Sequence, residues 1–262
     1  MENVIKQYKN ASNLDIRIRI HEQYSTNKTD WHEWLFDQYK IQPNSKILEL
    51  GCGSGAFWVK NKARIPADWN ITLSDFSPGM LQDAQNNLED VPNMSFQQIN
   101  VQEISFEADS FDIIIANHML YHVPDRTQAL SEIKRVLKPG GLFYSSTIGQ
   151  DHLKEFGEIL ANFDSNLDYS SAYSHAQAFG MENGGQQLKS EFSFVKLIPF
   201  PGDLQITETE AIIEYLHSTD TEVNEVLSGD KLESFKQYLE DLKEKKGGYI
   251  PITKATGLFV SK

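Results

Sequence analysis

The chain has one cysteine, Cys52, so no internal disulfide can form, and a reducing cytoplasm is the simplest compartment. No apolar run approaches the roughly 18 residues a membrane helix needs, and the opening MENVIKQYKN has no apolar signal core. Positive charge is also scarce. Lys and Arg number 24 against 37 Asp and Glu, a formal net charge of -13. Such a surface repels phosphate backbones, and the richest basic run, Lys243 to Lys246, is interrupted by Glu244. Nucleic-acid substrates are therefore disfavoured, and no membrane partner is expected. Low-complexity tracts and 20-to-50-residue repeats are absent, which excludes solenoids and disordered arrays.

Apolar residues are present in quantity, at 40% with 15 Phe and 10 Tyr, enough for one large α/β domain over 262 residues. Residues 1 to 44 read as a helical lead-in, with Trp31, Trp34, Leu35 and Tyr39 at helical spacing; Ile16, Ile18 and Ile20 alternate and leave that stretch ambiguous. From residue 45 the pattern becomes strand, helix, strand, helix. The predicted strands are Lys46 to Leu50, Asn70 to Ser74, Met94 to Gln98, Phe111 to Ala116 and Gly141 to Thr147. Between them Met80, Leu81, Ala84 and Leu88 form one helical stripe and Leu130, Ile133, Val136 and Leu137 another, closed by Lys138 and Pro139-Gly140-Gly141. The alternation implies a parallel sheet with right-handed crossovers. Past residue 148 it stops. Residues 150 to 182 are polar, aromatic and less periodic, 192 to 200 read as a strand, 207 to 245 as helical and 255 to 260 as a last strand. A stretch of this kind reads as additions around a substrate mouth.

The chemistry concentrates at Ile47-Leu48-Glu49-Leu50-Gly51-Cys52-Gly53-Ser54-Gly55, a strand running into three alternate glycines. Glycine permits the sharp turn and lets a ligand lie on bare backbone, and the next helix offers N–H groups to an anionic ligand part. Asp75 follows 24 residues after Gly51, at the end of the second strand, where a carboxylate can accept both hydroxyls of a ribose. Gly51 to Ala56 also fits the fingerprint of nicotinamide-dinucleotide enzymes, so an NAD(P)-dependent oxidoreductase stands as the rival reading. Glu49 before the first glycine, the sequence Ser74-Asp75-Phe76-Ser77 and the later Leu137-Lys138-Pro139-Gly140-Gly141 weigh against it.

With these motifs in place the chain resembles the class I S-adenosylmethionine-dependent methyltransferases, in the group that includes the ubiquinone and menaquinone C-methyltransferases. ILELGCGSG, LSDFSPGML, FDIIIANHMLYHVPD and RVLKPGGLF resemble that group's successive motifs, in order, over about residues 45 to 147. The resemblance implies a Rossmann-like doubly wound α/β sheet of about seven strands, the last antiparallel, with helical cap additions. It implies one domain over residues 1–262: a lead-in or lid to 44, a cofactor core at 45–148, and insertions with closing strands at 149–262. It implies S-adenosyl-L-methionine as cofactor and S-adenosyl-L-homocysteine as product. Glu49, Gly51, Cys52 and Gly53 would lie along the methionine part, with Cys52 a small filler; Asp75 would bind the ribose; Phe76 and Met80 would flank the adenine; Asn100 and Val101 would sit at its edge; Asn117 would reach the methionine moiety. Many relatives have Asp where this chain has Asn100. Asp75 as a plain helix cap, and Phe76 and Met80 as plain core, are the competing structural readings.

The topology places the chemistry at the carboxyl ends of the strands, where Asn117-His118-Met119-Leu120-Tyr121-His122 leaves the fourth. An acceptor that must lose a proton needs a base, and His122, then His118, are the catalytic candidates; hydrogen bonding within the loop is the alternative for each. Proline restricts the residue before it to extended conformations, so Val123-Pro124 stiffens the end of this loop. His21, Tyr24 and Trp31 could form a lid, and Tyr169, Tyr173 and His175 could face the acceptor. The expected reaction is methyl transfer to a small-molecule acceptor. A methyltransferase acting on protein or RNA and a non-catalytic cofactor-binding module are the further alternatives. No metal is expected, and the oligomeric state is open.

Overall fold

The computed structural model describes residues 11–167, 169, 174–219 and 221–262. These group into two compact units. One comprises Thr29–Gly149, Ala178–Phe200 and Thr256–Lys262; the other comprises the segment ending at Lys28, Gln150–Gln177 and Pro201–Ala255.

The strands in chain order are β1 (Lys46–Leu50), β2 (Asn70–Asp75), β3 (Met94–Gln98), β4 (Phe111–Asn117), β5 (Leu137–Ile148), β6 (Val195–Pro199), β7 (Leu204–Ile206), β8 (Ile250–Ile252) and β9 (Thr256–Ser261). The first unit holds a seven-stranded sheet in the order β3-β2-β1-β4-β5-β9-β6. Strands β1 to β5 pair in parallel, and β9 runs antiparallel to both β5 and β6. The order reverses between β1 and β4, the position at which open α/β sheets open a crevice beyond the strand ends.

Both faces of this sheet are covered, so its central strands carry apolar runs such as Ile113-Ile114-Ile115-Ala116 rather than alternating with polar residues. Ile113 and Ile115 join Ile47, Leu73, Phe57 and Trp58 on one face, while Ile114 and Ala116 join Leu48, Leu50, Phe143 and Phe259 on the other. Helix Arg126–Val136 buries Ala129, Leu130, Ile133 and Val136 against the second face, and Asp125 caps its start through a bond from the Gln128 N–H.

Strand β5 starts at Leu137, four residues before the predicted Gly141. Leu137 pairs with Phe111, and the register then shifts, so that Ile113 pairs with Leu142. Gly140 takes φ +83° in this irregularity, and a Cβ on Gly141 would lie 2.8 Å from the Asp112 carbonyl. The glycines expected to break the helix in fact let the strand bulge.

The second unit has its own apolar cluster, built from Ile20, Phe156, Leu160, Leu216, Phe235 and Leu239. Helices Ala11–Tyr24, Lys154–Phe163, Glu210–Thr219 and Gly229–Lys245 contribute to it, with β7 and β8 as an antiparallel pair. Ile16, Ile18 and Ile20, ambiguous in sequence, are helical. The stretch 150–182, read as less periodic, carries the helices Lys154–Phe163 and Ser174–Ala178. Among the described residues no helix is long and apolar enough to cross a membrane.

Candidate active site

Strand β1 ends at Leu50, and the chain turns through Gly51, Gly53 and Gly55, all with positive φ (71°, 56° and 78°). The three glycines serve different ends. A Cβ on Gly51 would sit 2.8 Å from the Met119 Cβ, and one on Gly55 would sit 2.7 Å from Leu88 Cδ1, so both are required by protein packing. Beside Gly53 there is nothing within 4 Å. Of the three, only Gly53 presents bare backbone to open space, as a loop that cradles a ligand must. The helix that follows, Ala56–Asn61, has only six residues, so its dipole contributes less than the sequence suggested.

Asp75, the last residue of β2, braces this loop. Its Oδ2 accepts the Gly53 N–H at 2.9 Å and its Oδ1 accepts the Ser77 N–H at 2.8 Å. Burial pushes its carboxyl up, while the bonds from Ser77 and Gly53 pull it back. Asp75 holds the start of the next helix, and each oxygen keeps capacity for a further donor. Ser77 caps that helix, Pro78–Asn87, through a bond from the Met80 N–H.

Phe76 stands 37% exposed, which removes the reading of it as core. Met80 is half-buried in the first helical turn. Val101 is buried with Leu50, Ile99 and Ile104, a packing role. Asn100 Oδ1 accepts the Gln102 N–H at 3.1 Å, so its carbonyl already serves a local turn. Cys52 is half-buried, and burial together with Glu49 and Asp75 drives its thiol upward, away from a reactive thiolate.

Glu49 is 2% exposed. Trp58 Nε1 donates to its Oε2 at 2.6 Å, and Asn117 Nδ2 donates to its Oε1 at 3.2 Å. Burial raises its carboxyl to about 7, against the pull of those two bonds. Among the described residues it has no lysine or arginine partner. A buried carboxylate supplied only with neutral donors is disposed to receive a cation. Asn117 Oδ1 accepts from Tyr39 Oη at 2.9 Å and Ser146 Oγ at 3.1 Å. Tyr39, Trp58 and Ser146 were not singled out as site residues from the sequence. Only their juxtaposition in space identifies them.

His118 follows β4 with φ 49°, a left-handed conformation that is uncommon outside glycine, and its N–H points at the Ser146 carbonyl at 3.1 Å. Its ring lies 5.3 Å from that of Trp31, which also meets Phe200 at 5.1 Å and stacks on Trp34. His122 ends a 3₁₀ turn over Leu120–His122 and packs against Tyr121 at 4.6 Å. Val123, before Pro124, is extended, as the proline requires. Trp31 is thus the lid candidate that reaches this site. The remaining candidates that are described belong to the other unit. There His21 stacks on His152, Tyr24 donates to Glu208 at 3.3 Å, Tyr169 and Thr219 share a hydroxyl bond at 3.0 Å, and His175 sits on Ser174–Ala178. Tyr173 lies outside the described residues.

The family model described as a methyltransferase domain matches residues 48–145. A demethylmenaquinone methyltransferase of Staphylococcus aureus is 28% identical over 160 residues, which cover 61% of this chain and 63% of the relative. The match thus spans less than two thirds of the length of such curated relatives. Among solved structures, the YcgJ protein of Bacillus subtilis aligns over 88% of this chain and 96% of its own, with a TM-score of 0.57 at 17% identity. Phosphoethanolamine N-methyltransferase 2 of Haemonchus contortus, solved with S-adenosyl-L-methionine, covers 95% of this chain and 56% of its own, with a TM-score of 0.56 at 16% identity. At such identities the likeness is one of fold. Residues 48–145 of this chain match the methyltransferase-domain model, and they form the greater part of a Rossmann-like α/β sheet.

Proposed function

We propose that this chain binds S-adenosyl-L-methionine along the Gly51–Gly55 loop and transfers its methyl group to a small-molecule acceptor in the cytoplasm. The observation that carries the reading is the open backbone at Gly53, flanked by the carboxylates of Glu49 and Asp75. Glu49 would meet the cationic ammonium of the methionine part, and Asp75 the ribose hydroxyls. Phe76, exposed beside Asp75, and Met80 would cover the adenine, with Asn100 and Val101 at its edge; the Asn100 amide N–H₂ suits an acceptor on the ring. The cofactor brings the activated methyl with it, so the protein's task is to align the acceptor, a contribution of roughly 7–11 kcal/mol for well-oriented pairs.

His122 and His118 leave β4 at the carboxyl end of the sheet and are the groups proposed to take a proton from the acceptor or to orient it. The relatives' own names support a small acceptor, a demethylmenaquinone in one case and phosphoethanolamine in another. The net charge of -13 weighs against RNA. Calorimetry with S-adenosylmethionine, S-adenosylhomocysteine and NAD tests the reading. Binding of both adenosyl ligands in the micromolar range, about -8 kcal/mol, supports it; binding of the dinucleotide alone overturns it.

A further inference from the structure

Tyr39 stands at the C-terminal cap of helix Trp31–Gln38, 78 positions from Asn117, and belongs to none of the four motifs. It is 9% exposed. Its ring packs 4.6 Å from Tyr144 and 5.5 Å from Phe57, and the next backbone N–H, that of Lys40, donates to the Tyr144 hydroxyl at 2.8 Å. The ring is therefore fixed before its hydroxyl does anything, and the hydroxyl is delivered to Asn117 Oδ1 at 2.9 Å.

This contact matches the way the Asn117 amide faces. Its oxygen is occupied by two hydroxyl donors, from Tyr39 and Ser146. Its nitrogen then points at Glu49 Oε1, 3.2 Å away. An ionised carboxylate can only accept, so it requires that orientation. A donor on the amide oxygen also polarises the amide and strengthens its N–H as a donor. Tyr39, Asn117 and Glu49 thus form a relay with one direction, and Trp58 fills the other carboxylate oxygen. The other ionisable groups coupled to this cluster are Asp75 and Cys52 on the loop side and Tyr144 beneath Tyr39; none is cationic.

We propose that Tyr39 is a positioning residue for the cofactor's methionine end: through Asn117 it holds the Glu49 carboxylate oriented toward the ligand ammonium, and so ties the Trp31–Gln38 helix to cofactor affinity. The inference rests on the proposed function. Supporting it, the Asn117 bond lowers a Glu49 carboxyl that burial has raised. Loss of the Tyr39 donor weakens that bond and lets the carboxyl rise further.

The test is Tyr39→Phe, which keeps the ring and removes the hydroxyl, with affinity for S-adenosylhomocysteine measured by calorimetry from pH 6 to 8.5 and melting temperature recorded alongside. In the parent, affinity should climb with pH as Glu49 ionises and level off above about 7. In Tyr39→Phe it should be about three- to tenfold weaker near pH 7, the size of one hydrogen bond, and the gap should narrow toward pH 8.5 because the midpoint has moved up. Ser146→Ala removes the other donor on Asn117 Oδ1 and should shift the midpoint in the same direction by less. It also keeps the test open if Tyr39→Phe fails to fold: an unmoved midpoint in Ser146→Ala then overturns the relay. A Tyr39→Phe protein that matches the parent at every pH overturns the proposal, as does a deficit of the same size at every pH, which marks a packing role only. A parent that binds neither adenosyl ligand overturns the proposed function itself, and this inference with it; where the parent binds normally, a negative result bears on Tyr39 alone.

Discussion

The indole N–H of Trp58 donates to Oε2 of Glu49 at 2.6 Å, and the two residues are 0% and 2% exposed. A carboxyl at about 7 in the folded chain and near 4.5 when unfolded stabilises the fold below pH 4.5. That contribution fades as pH rises from 4.5 through 7, because the unfolded chain ionises first and the folded chain must then carry a buried charge. The difference amounts to roughly 3 kcal/mol. Glu49→Gln removes it. In the absence of cofactor, the variant should therefore gain melting temperature relative to the parent between pH 5 and 8, while binding S-adenosylhomocysteine at least tenfold more weakly at pH 8. Parallel stability curves for the two proteins across that range would show that Glu49 does not carry the buried charge.

Asp75→Ala should lose both binding and stability. The backbone N–H groups of Gly53 and Ser77 each lose a charged acceptor, bonds worth about 1.5–3 kcal/mol each. At about 2–4 °C per kcal/mol, the melting temperature should fall by several degrees or more. Cofactor affinity should fall at least tenfold. Differential scanning calorimetry and titration on the same preparation separate the two effects. Undiminished affinity would reduce Asp75 to a brace for the Gly53 loop and the Ser77 turn.

Gly53→Val and Gly51→Ala should part company. Space beside Gly53 is open, so a branched side chain there costs the strain of a left-handed residue, about 1–2 kcal/mol, yet occupies the ligand's place. Gly53→Val should fold with a modest loss of stability and bind no adenosyl ligand. Gly51→Ala drives a Cβ against Met119 and should be the less stable of the two. The reverse order of melting temperatures would contradict this division of roles.

His122→Ala should reduce turnover about 10²-fold or more for an acceptor that must be deprotonated, and leave cofactor affinity near that of the parent. His118→Ala should also loosen Trp31, whose ring it faces at 5.3 Å, so its effect should include a change in tryptophan fluorescence. Single-turnover rates over pH 5.5 to 8.5 provide the check. A flat profile together with surviving turnover in His122→Ala would make the residue structural and favour an amine acceptor.

Much of the cofactor half was legible because its signals are local. Lys46–Leu50 and Met94–Gln98 have the predicted bounds, and the predicted second and fourth strands each run one residue further, to Asp75 and Asn117. What escaped is short or distant. Strands β7 and β8 have three residues each, too few to show a period of two. Helix Lys154–Phe163 does place Phe156, Ile159, Leu160 and Phe163 at helical spacing, but polar flanks obscured it. The bond from Tyr39 to Asn117 spans 78 positions and leaves no mark in either segment. Its partner residues become visible only when the Trp31–Gln38 helix and β4 meet.

Strand β9 lies between β5 and β6 in the sheet, yet it begins 57 positions after Pro199 ends β6. At roughly 5–20 residues per second, ribosomal synthesis leaves β6 without its neighbour for about 3–11 s. The nascent chain must hold that strand in waiting, and its composition suits the delay. Lys196 and Pro199 are both exposed in the finished sheet, and both discourage pairing with a stray chain. The same two residues that guard the finished edge also protect the emerging polypeptide, and the sheet closes only when Thr256–Ser261 threads in between.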